Sequence, residues 1–326
     1  MMTVAFPATA QTVLQFALPT PEAHPRNQAI ALWTKAVATV SAEELVIALR
    51  HGVTDYEGAR IPAAVAEGVY DMAAPGWWHV ARYTPEFGLS ALPMFYGRDA
   101  DTVRGIFDGE TGMVLNEKLE QALRVRVIGR RLDLGFGHIY LTGETVKGYE
   151  GLQDRNIRVP GGGADLARYL AFGATPRRVA MGDLANALER QLIDGLLVTH
   201  NFVADASLWT VGVRHALLDN QVFYQYTPII NRVRWESLFD ENRAWLSQSW
   251  EATIDEMRRF VVERQMRARA LATKNGVTYV EMSPDQRQSM RSTLMEEQKA
   301  VGEALEIDPE LVARVKSLLE RAAPKN

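Results

Sequence analysis

The first eighty residues alternate between two hydrophobic patterns. Short, mostly apolar runs, TVLQFAL at 12–18 and EELVIAL at 43–49, predict buried strands. RNQAIALWTKAVATVS between them has apolar residues at helical spacing, and GARIPAAVAEGVYDMAAPG predicts a helix followed by a short strand at 70–73. This order of strands and helices predicts a parallel sheet with helices on its faces.

The same order returns in the middle of the chain. Strands are predicted in LRVRVIGRRLDLG, NIRVPGGG, RRVAM and GLLVTHN. Helices are predicted between them in GADLARYLAFGA and GDLANALERQLIDG. A second series of this kind indicates a second lobe that resembles the first.

A long helical segment follows the second series. Residues 229–275 contain neither glycine nor proline, and apolar residues recur there at helical spacing, as at Trp250, Ile254 and Met257. A helix of about 40 residues would extend on the order of 60 Å, longer than one small lobe, so we expect it to brace two. A break near FDENRAW would shorten it. Asp308 before Pro309 predicts the start of a final helix.

No flexible Gly/Ser linker separates the two series, which predicts several chain crossings and a hinge. We expect lobe I to comprise residues 12–135 and 224–263, and lobe II residues 136–223 and 264–326 with the C-terminal helices. Residues 1–11 are apolar and rich in small residues, and Ala8-Thr9-Ala10 fits a signal-peptidase site, although no charged n-region precedes it. We expect a signal-peptide remnant there; the alternative is the frayed terminus of a cytosolic protein.

Composition narrows the class of function. The 326 residues are 47% hydrophobic and 23% charged, which is typical of a globular chain with room for two domains. The net charge is -4, and the Lys and Arg residues are scattered along the sequence. This pattern does not indicate a basic surface for binding nucleic acid or a membrane. The chain has no cysteine, which excludes disulfides and thiolate chemistry. It also lacks an apolar run long enough to span a membrane.

Motifs for catalysis, metals and cofactors are missing. The six histidines show neither HxxxH nor HExxH spacing, so we expect no metal site. PGGGAD lacks both common nucleotide-loop patterns, so we expect no cofactor. There is no GxSxG motif, and the sequence nominates no nucleophile or general base.

Arg158 stands inside the predicted strand of NIRVPGGG, where a charge is seldom placed unless it is paired. Its guanidinium matches a carboxylate through two parallel donors, and ligands of open α/β sheets lie beyond the carboxyl ends of strands. The alternative is an edge-strand arginine that faces solvent. Trp77, Trp78 and Tyr83 follow another predicted strand, where they would either wall a pocket or pack a loop onto the core.

Four segments together resemble one family over about residues 12–300. They are RIPAAVAEGVYDMA, YTPEFGLSALPMFY, GLQDRNIRVPGGGADLARYLAFGATPRRVAMGDLANALERQLIDG and YTPIINRVRWESL. They resemble the DctP-type solute-binding proteins of tripartite ATP-independent periplasmic (TRAP) transporters. The resemblance implies a two-lobed periplasmic-binding-protein-like α/β fold with a ligand cleft between the lobes, hinge crossings and a long bracing helix. It also implies a periplasmic protein, not an enzyme, that closes on a small organic acid and delivers it to the transporter's membrane subunits.

The resemblance implies that Arg158 pairs with the ligand carboxylate, because the residues that flank it match the family's I-R-V-P. Two positions depart from the family pattern. His138 stands where many members carry the arginine of G-x-R, and Val198 stands at about the place of a usual asparagine, with His200 and Asn201 nearby.

We expect the remaining ligand contacts to come from one secondary polar residue, His138, with Asn201 nearby, and from aromatic walls. The candidate walls are Trp77, Trp78, Phe136 and Tyr224, with Phe202 close by. One cationic anchor with aromatic walls favours a monocarboxylate with an aromatic or branched body over a dicarboxylate or a sugar acid. The alternatives are an α/β enzyme acting on a small carboxylate and an ABC-type binding protein.

Overall fold

The computed structural model describes residues 11–55, 58–159 and 163–322. The predicted signal-peptide segment therefore lies, but for its last residue, outside the described residues. Within them the strands are β1 (Thr12–Leu18), β2 (Leu45–His51), β3 (Met72–Ala73), β4 (Val125–Val127), β5 (Leu132–Thr142), β6 (Asn156–Val159), β7 (Thr175–Arg178), β8 (Gly195–Val198), β9 (Val213–Tyr226), β10 (Ile229–Asn231) and β11 (Thr278–Glu281).

The α-helices of the described residues are α1 (Pro25–Val40), α2 (Ile61–Ala66), α3 (Trp77–Val80), α4 (Ala100–Phe107), α5 (Glu110–Ala122), α6 (Gly163–Ala171), α7 (Leu184–Glu189), α8 (His200–Asp205), α9 (Arg232–Ser237), α10 (Asp240–Lys274), α11 (Pro284–Met295), α12 (Gln298–Ala304) and α13 (Pro309–Ala322). Short 3₁₀ helices include Pro85–Ala91 and Pro93–Phe95.

The chain forms two compact units, which confirms the predicted two-lobed α/β class. The first contains the described residues of 1–80, 116–132 and 226–260, and the second those of 81–115, 133–225 and 261–326. The chain passes from one unit to the other after residues 80, 115, 132, 225 and 260. Each unit has a sheet of its own.

The sheet of the first unit has the strand order β2-β1-β3-β10-β4. β1 pairs in parallel with β2 and β3, while β10 runs antiparallel to β3 and β4. Its core is built on aromatic edge-to-face contacts: Phe16 lies 6.2 Å from Trp33, which lies 5.0 Å from Trp250. Because Trp33 belongs to α1 and Trp250 to α10, these contacts fasten both helices within this unit.

The sheet of the second unit has the strand order β11-β9-β5-β8-β6-β7. β6 pairs in parallel with β7 and β8, and β5 runs antiparallel to β8. Tyr140, Leu196 and Val213 of the sheet and Val203 of α8 belong to one buried apolar cluster. Because β6 and β8 are parallel neighbours, their carboxyl ends lie side by side. The antiparallel strand β5 brings its first half next to the end of β8.

The predicted long helix is present as α10, a helix of 35 residues. At 1.5 Å per residue it extends about 52 Å. The predicted break falls between the end of α9 at Ser237 and the start of α10 at Asp240. Residues 240–260 of the helix belong to the first unit and residues 261–274 to the second. The predicted final helix begins at Pro309, and Oδ1 of Asp308 accepts from the backbone N–H of Glu310 at 2.9 Å.

Some element boundaries differ from the predicted ones. β2 begins at Leu45 rather than residue 43, because Ala42 and Glu43 adopt positive φ angles of 46° and 66° in a turn. β7 covers residues 175–178 rather than 177–181, because its pairing with β6 starts at Thr175 opposite Asn156. Hydrophobic pattern alone does not locate such boundaries, since both are decided by the turn or partner strand beside them.

Residues 81–115 lie in the second unit, whereas the sequence predicts that they belong to lobe I. Their contacts within that unit give the reason. The backbone N–H of Met94 donates to Oε1 of Gln298 at 2.8 Å, and that of Gly97 donates to the backbone oxygen of Asn220 at 3.0 Å. These partners are remote in sequence, so local pattern did not reveal them.

Candidate functional site

Arg158 lies near the carboxyl end of β6, opposite Leu196 of β8. Its side chain is buried, with a relative exposure of 4%. Nε donates to the backbone oxygen of Val179 at 3.2 Å. Among the described residues, neither terminal nitrogen of the guanidinium has a hydrogen-bond partner, and no carboxylate lies within ion-pair distance. Two parallel donors are therefore open on a buried cation.

Burial lowers the pKa of the Arg158 guanidinium from its usual value, while Tyr224, Asp165 and Tyr169 oppose that shift. The ordinary pKa of arginine is so high that the group stays charged at neutral pH. Asp165 does not neutralise it directly, because its Oδ1 pairs with Nη1 of Arg168 at 3.1 Å. The open guanidinium is suited to a bidentate contact with a carboxylate.

His138 projects from the same face of the sheet as Arg158. Paired residues on neighbouring strands share a face and alternate residues return to it. Arg158 pairs with Leu196 and His138 with Val198, so both side chains lie on the face of Leu196 and Val198. His138 is buried, and its Nδ1 lies 3.9 Å from Oδ1 of Asp219, an ion pair when the imidazole is protonated.

His200, at the start of α8, stacks on His138 with ring centroids 4.9 Å apart. Its Nδ1 is also hydrogen-bonded to the hydroxyl of Tyr140. Burial lowers the pKa of His200 to about 3, and the positive charges of His138 and Arg269 act in the same direction. His200 is therefore neutral at neutral pH.

Two aromatic candidates lie on β5 and β9, on opposite faces of the sheet. The ring of Phe136 lies 4.7 Å from that of Phe223 and 6.3 Å from that of His138. Tyr224 lies over Gly137: a methyl group placed on Gly137 would be 2.7 Å from Cε2 of Tyr224. The missing side chain at 137 thus makes room for the Tyr224 ring.

Asn201 is held by hydrogen bonds within the second unit. Its Oδ1 accepts from Thr199 at 2.8 Å and from Nε2 of Gln265 at 2.6 Å. Its backbone N–H donates to Oε1 of Gln265 at 2.9 Å, and its Nδ2 donates to Asp205 at 3.3 Å. These bonds tie the start of α8 to α10, so Asn201 positions this end of the sheet.

Trp77 and Trp78 belong to the first unit, where they form α3 shortly after β3. Trp77 is buried and Trp78 is half-buried. Their rings are edge-to-face with centroids 5.8 Å apart, and the ring of Trp78 also lies 5.5 Å from that of Tyr226. The indole of Trp78 covers Gly76 so closely that a side chain at position 76 would displace it.

Arg26, at the start of α1 in the first unit, is a second buried arginine that sequence reasoning did not single out. It differs from Arg158 in its hydrogen bonds. Nε donates to Asn27 at 3.0 Å, Nη2 to Thr20 at 2.7 Å and Nη1 to the backbone oxygen of Ala74 at 3.4 Å. Its guanidinium also lies 4.8 Å from the ring centroid of Tyr226. These bonds show that Arg26 stabilises the fold of the first unit.

Sequence reasoning also missed a buried polar network beside His138. Oδ2 of Asp219 accepts from the hydroxyl of Tyr96 at 2.7 Å and from Nε2 of Gln221 at 2.8 Å. The hydroxyls of Tyr96 and Tyr149 are hydrogen-bonded at 2.5 Å. Tyr96 ends the segment YTPEFGLSALPMFY, but nothing in the sequence indicates that it meets Asp219 and Tyr149, because the three come from distant segments of the chain.

In residues 11–55, 58–159 and 163–322, no group of three or more His, Cys, Asp or Glu side chains is arranged to hold a metal ion. None of the helices in that part of the chain is both long and apolar enough to cross a membrane.

The sequence model for "bacterial extracellular solute-binding protein, family 7", or DctP, matches residues 16–303. The chain belongs to this family. The resemblance predicted from the motifs is thereby confirmed. In this family-7 protein, Arg158, His138, Phe136, Asn201 and Tyr224 all lie within the matched range and in the second unit, and Trp77 and Trp78 lie in the first.

Solved structures similar to this family-7 protein are TRAP periplasmic solute-binding proteins. One from Ochrobactrum anthropi, with its C-terminus bound in the ligand-binding pocket, has a TM-score of 0.89 and 18% identity over 98% of each chain. One from Ralstonia eutropha H16, with bound (S)-2-acetolactate, has a TM-score of 0.81 and 20% identity, covering 95% of this chain and 99% of that one. One from Sulfurospirillum deleyianum, with bound succinate, has a TM-score of 0.80 and 16% identity, with the same coverage. At identities this low, the TM-scores establish a shared fold and nothing further.

A curated relative matches part of this family-7 protein. It is the uncharacterized protein y4mM of Sinorhizobium fredii, which is 24% identical over 195 residues, or 60% of this chain. The chain spans about a third of the relative's length, with 36% covered.

Proposed function

We propose that this protein binds a small organic acid in the periplasm and delivers it to the membrane subunits of a TRAP transporter. The observation that carries the proposal is Arg158, a buried cation with two open donors and no carboxylate partner among the described residues. An isolated buried charge is costly, and a ligand carboxylate would offset that cost. The similar proteins from Ralstonia eutropha H16 and Sulfurospirillum deleyianum hold acetolactate and succinate, both of which are carboxylates.

Arg158 is the carboxylate anchor, and His138, on the same face of the sheet, is the secondary polar contact. Phe136, whose ring lies 6.3 Å from that of His138, supplies an apolar wall. Asn201 acts through its hydrogen bonds to Gln265 as a positioning residue rather than by touching the ligand.

Within the organic acids, the proposal favours a monocarboxylate with an aromatic or branched body, including 2-oxo and 2-hydroxy acids. Arg158 offers one bidentate anchor, whereas the hydrogen bonds of Arg26 are taken by its own unit. Each further polar group on a ligand would need a buried partner or carry a cost of about 1–3 kcal/mol. (S)-2-Acetolactate, held by the Ralstonia protein, is itself a branched 2-hydroxy acid.

A thermal-shift screen followed by calorimetry tests this function. The screen compares benzoate, mandelate and branched 2-oxo acids with succinate and a hexuronate. A true ligand at 100 times its Kd should add about 2.7 kcal/mol to the free energy of unfolding. A shift with succinate or the hexuronate alone would overturn the ranking but leave the anchor. No shift with any organic acid, or conversion of the bound acid into a product, would overturn the proposed function.

A further inference from the structure

A cavity of about 480 Å³ lies within the second unit, and neither Arg158 nor His138 lines it. One face of α11, one face of α13 and the segment around Met94 form its walls. Arg98, Arg291 and Lys316 line it, and Glu320 is the carboxylate among its lining residues. Arg158 is not one of them. This cavity, called the C-terminal cavity below, therefore has three cations against one anion.

Two of the cations are fixed at the wall by backbone carbonyls. Nη1 of Arg291 donates to the backbone oxygen of Tyr96 at 2.7 Å, and Nε of Arg98 donates to that of Met94 at 3.1 Å. Each contact uses one donor of a group that has five. Within the described ranges, neither arginine nor Lys316 forms an ion pair. The remaining donors are available to a molecule in the cavity.

The positive charges are close enough to oppose one another. Burial lowers the pKa of Arg291, and the charges of Arg98 and Arg287 lower it further. Burial also lowers the pKa of Arg98, opposed by the neighbouring Asp99. Both oxygens of Asp99 are already bonded to Thr102, at 2.7 and 2.8 Å. Asp99 therefore offsets part of the charge of Arg98, and Glu320 is the one carboxylate among the residues that line the cavity.

The start of α11, the helix that carries Arg291, is fixed by a capping box and by packing. Ser283 and Gln286 form a reciprocal capping box at the start of α11. Arg287 on the first turn packs against Gly97, where an added methyl group would lie 2.7 Å from its Cβ. Gly97 has a positive φ of 66°. The backbone that carries Arg98 and the helix that carries Arg291 are thus in direct contact.

We propose that the C-terminal cavity binds a small multivalent oxyanion, a phosphate or a polycarboxylate, through Arg98, Arg291 and Lys316. Guanidinium groups match the paired oxygens of phosphates and carboxylates, and several cations around one cavity favour a multiply charged partner. This site is separate from the proposed solute site and does not depend on the proposed function.

Calorimetry with inorganic phosphate, pyrophosphate and citrate tests the proposal, with sodium chloride holding the ionic strength constant. We expect at least one of the three to bind with 1:1 stoichiometry at concentrations below about 10 mM. The double variant Arg98→Gln/Arg291→Gln should weaken that binding by about tenfold or more. If it fails to fold, Lys316→Gln on the exposed side of the cavity should weaken binding by about threefold or more.

Two comparisons locate the bound anion. Lys299→Gln removes one exposed cation from the neighbouring helix α12 and should leave the dissociation constant unchanged. Arg158→Ala should leave it unchanged as well, because Arg158 does not line this cavity. Loss of anion binding in Arg158→Ala would place the anion in the solute site and overturn the proposal. So would the absence of binding by all three anions, or equal binding by the cavity variants.

Discussion

The imidazole of His200 stacks on that of His138, with ring centroids 4.9 Å apart and ring planes inclined by 27°. His200 is also hydrogen-bonded to Tyr140, and its surroundings favour the neutral ring. Nδ1 of His138 lies 3.9 Å from a carboxylate oxygen of Asp219. The pair places a neutral imidazole against one that has an anionic neighbour.

The low pKa of His200 predicts that acid destabilises the fold. The pKa of about 3 in the folded protein lies below the ordinary value of 6.5, so between these pH values the unfolded chain binds a proton that the folded chain does not. Stability therefore falls as the pH drops through this window, by at most about 1.4 kcal/mol per pH unit from this residue. His200→Gln should flatten the dependence measured by urea unfolding between pH 4 and about 6.5.

The same pair allows a direct titration. In His138→Gln, the pKa of His200 should rise, because the charge of His138 helps to lower it. Proton NMR of the His200 ring measures this. If His200 of the native protein titrates near its ordinary pKa of about 6.5, burial does not lower its pKa. The predictions for His200→Gln and His138→Gln would then both be wrong.

Arg158→Ala should abolish ligand binding and leave the fold intact. Losing a charge-assisted bidentate contact costs at least about 1.5–3 kcal/mol. Arg158→Lys should also bind poorly, because a point charge does not reproduce the guanidinium fork. Arg178→Ala, at the exposed end of the adjacent strand β7, is the matched control and should bind normally. Calorimetry showing native affinity in Arg158→Ala would remove the anchor from the proposal.

Arg26→Met should show the opposite pattern. Arg26 binds Thr20, Asn27 and the backbone of Ala74, so its loss leaves buried polar groups unpaired. We expect the free energy of unfolding to fall by about 1–3 kcal/mol. Affinity for the ligand, measured at a temperature where the variant is folded, should stay close to native. A stable variant with lost affinity would make Arg26 a ligand contact and favour a ligand with a second polar group.

Gly137→Ala should displace the Tyr224 ring. The added methyl group would lie 2.7 Å from the Tyr224 ring and 3.1 Å from Leu197, so the ring must move. Overpacking of this kind costs about 1–3 kcal/mol. Gly105→Ala, on α4 of the same unit, meets nothing within 4 Å and is the matched control. Urea unfolding compares the two variants, and equal stability would show that Tyr224 moves without cost.

The sequence by itself determined most of the local structure. The apolar run of β1, the helical spacing of α1 and the Gly- and Pro-free run of α10 are strong periodic signals, and the structure contains all three elements. Arg158 was also visible, because a permanent charge near the end of a strand contradicts the apolar pattern around it. Local propensity and pattern suffice when neighbouring residues decide the conformation.

Only the tertiary structure decided which segments meet. Residues 81–115 join the second unit through partners such as Gln298 and Asn220. Asn201 is tied to Gln265, and Tyr224 fills the room above Gly137. The C-terminal cavity likewise brings Arg98 to residues of α11 and α13. Contacts between positions so distant in the chain leave no period or spacing in the sequence, because they depend on how whole elements pack.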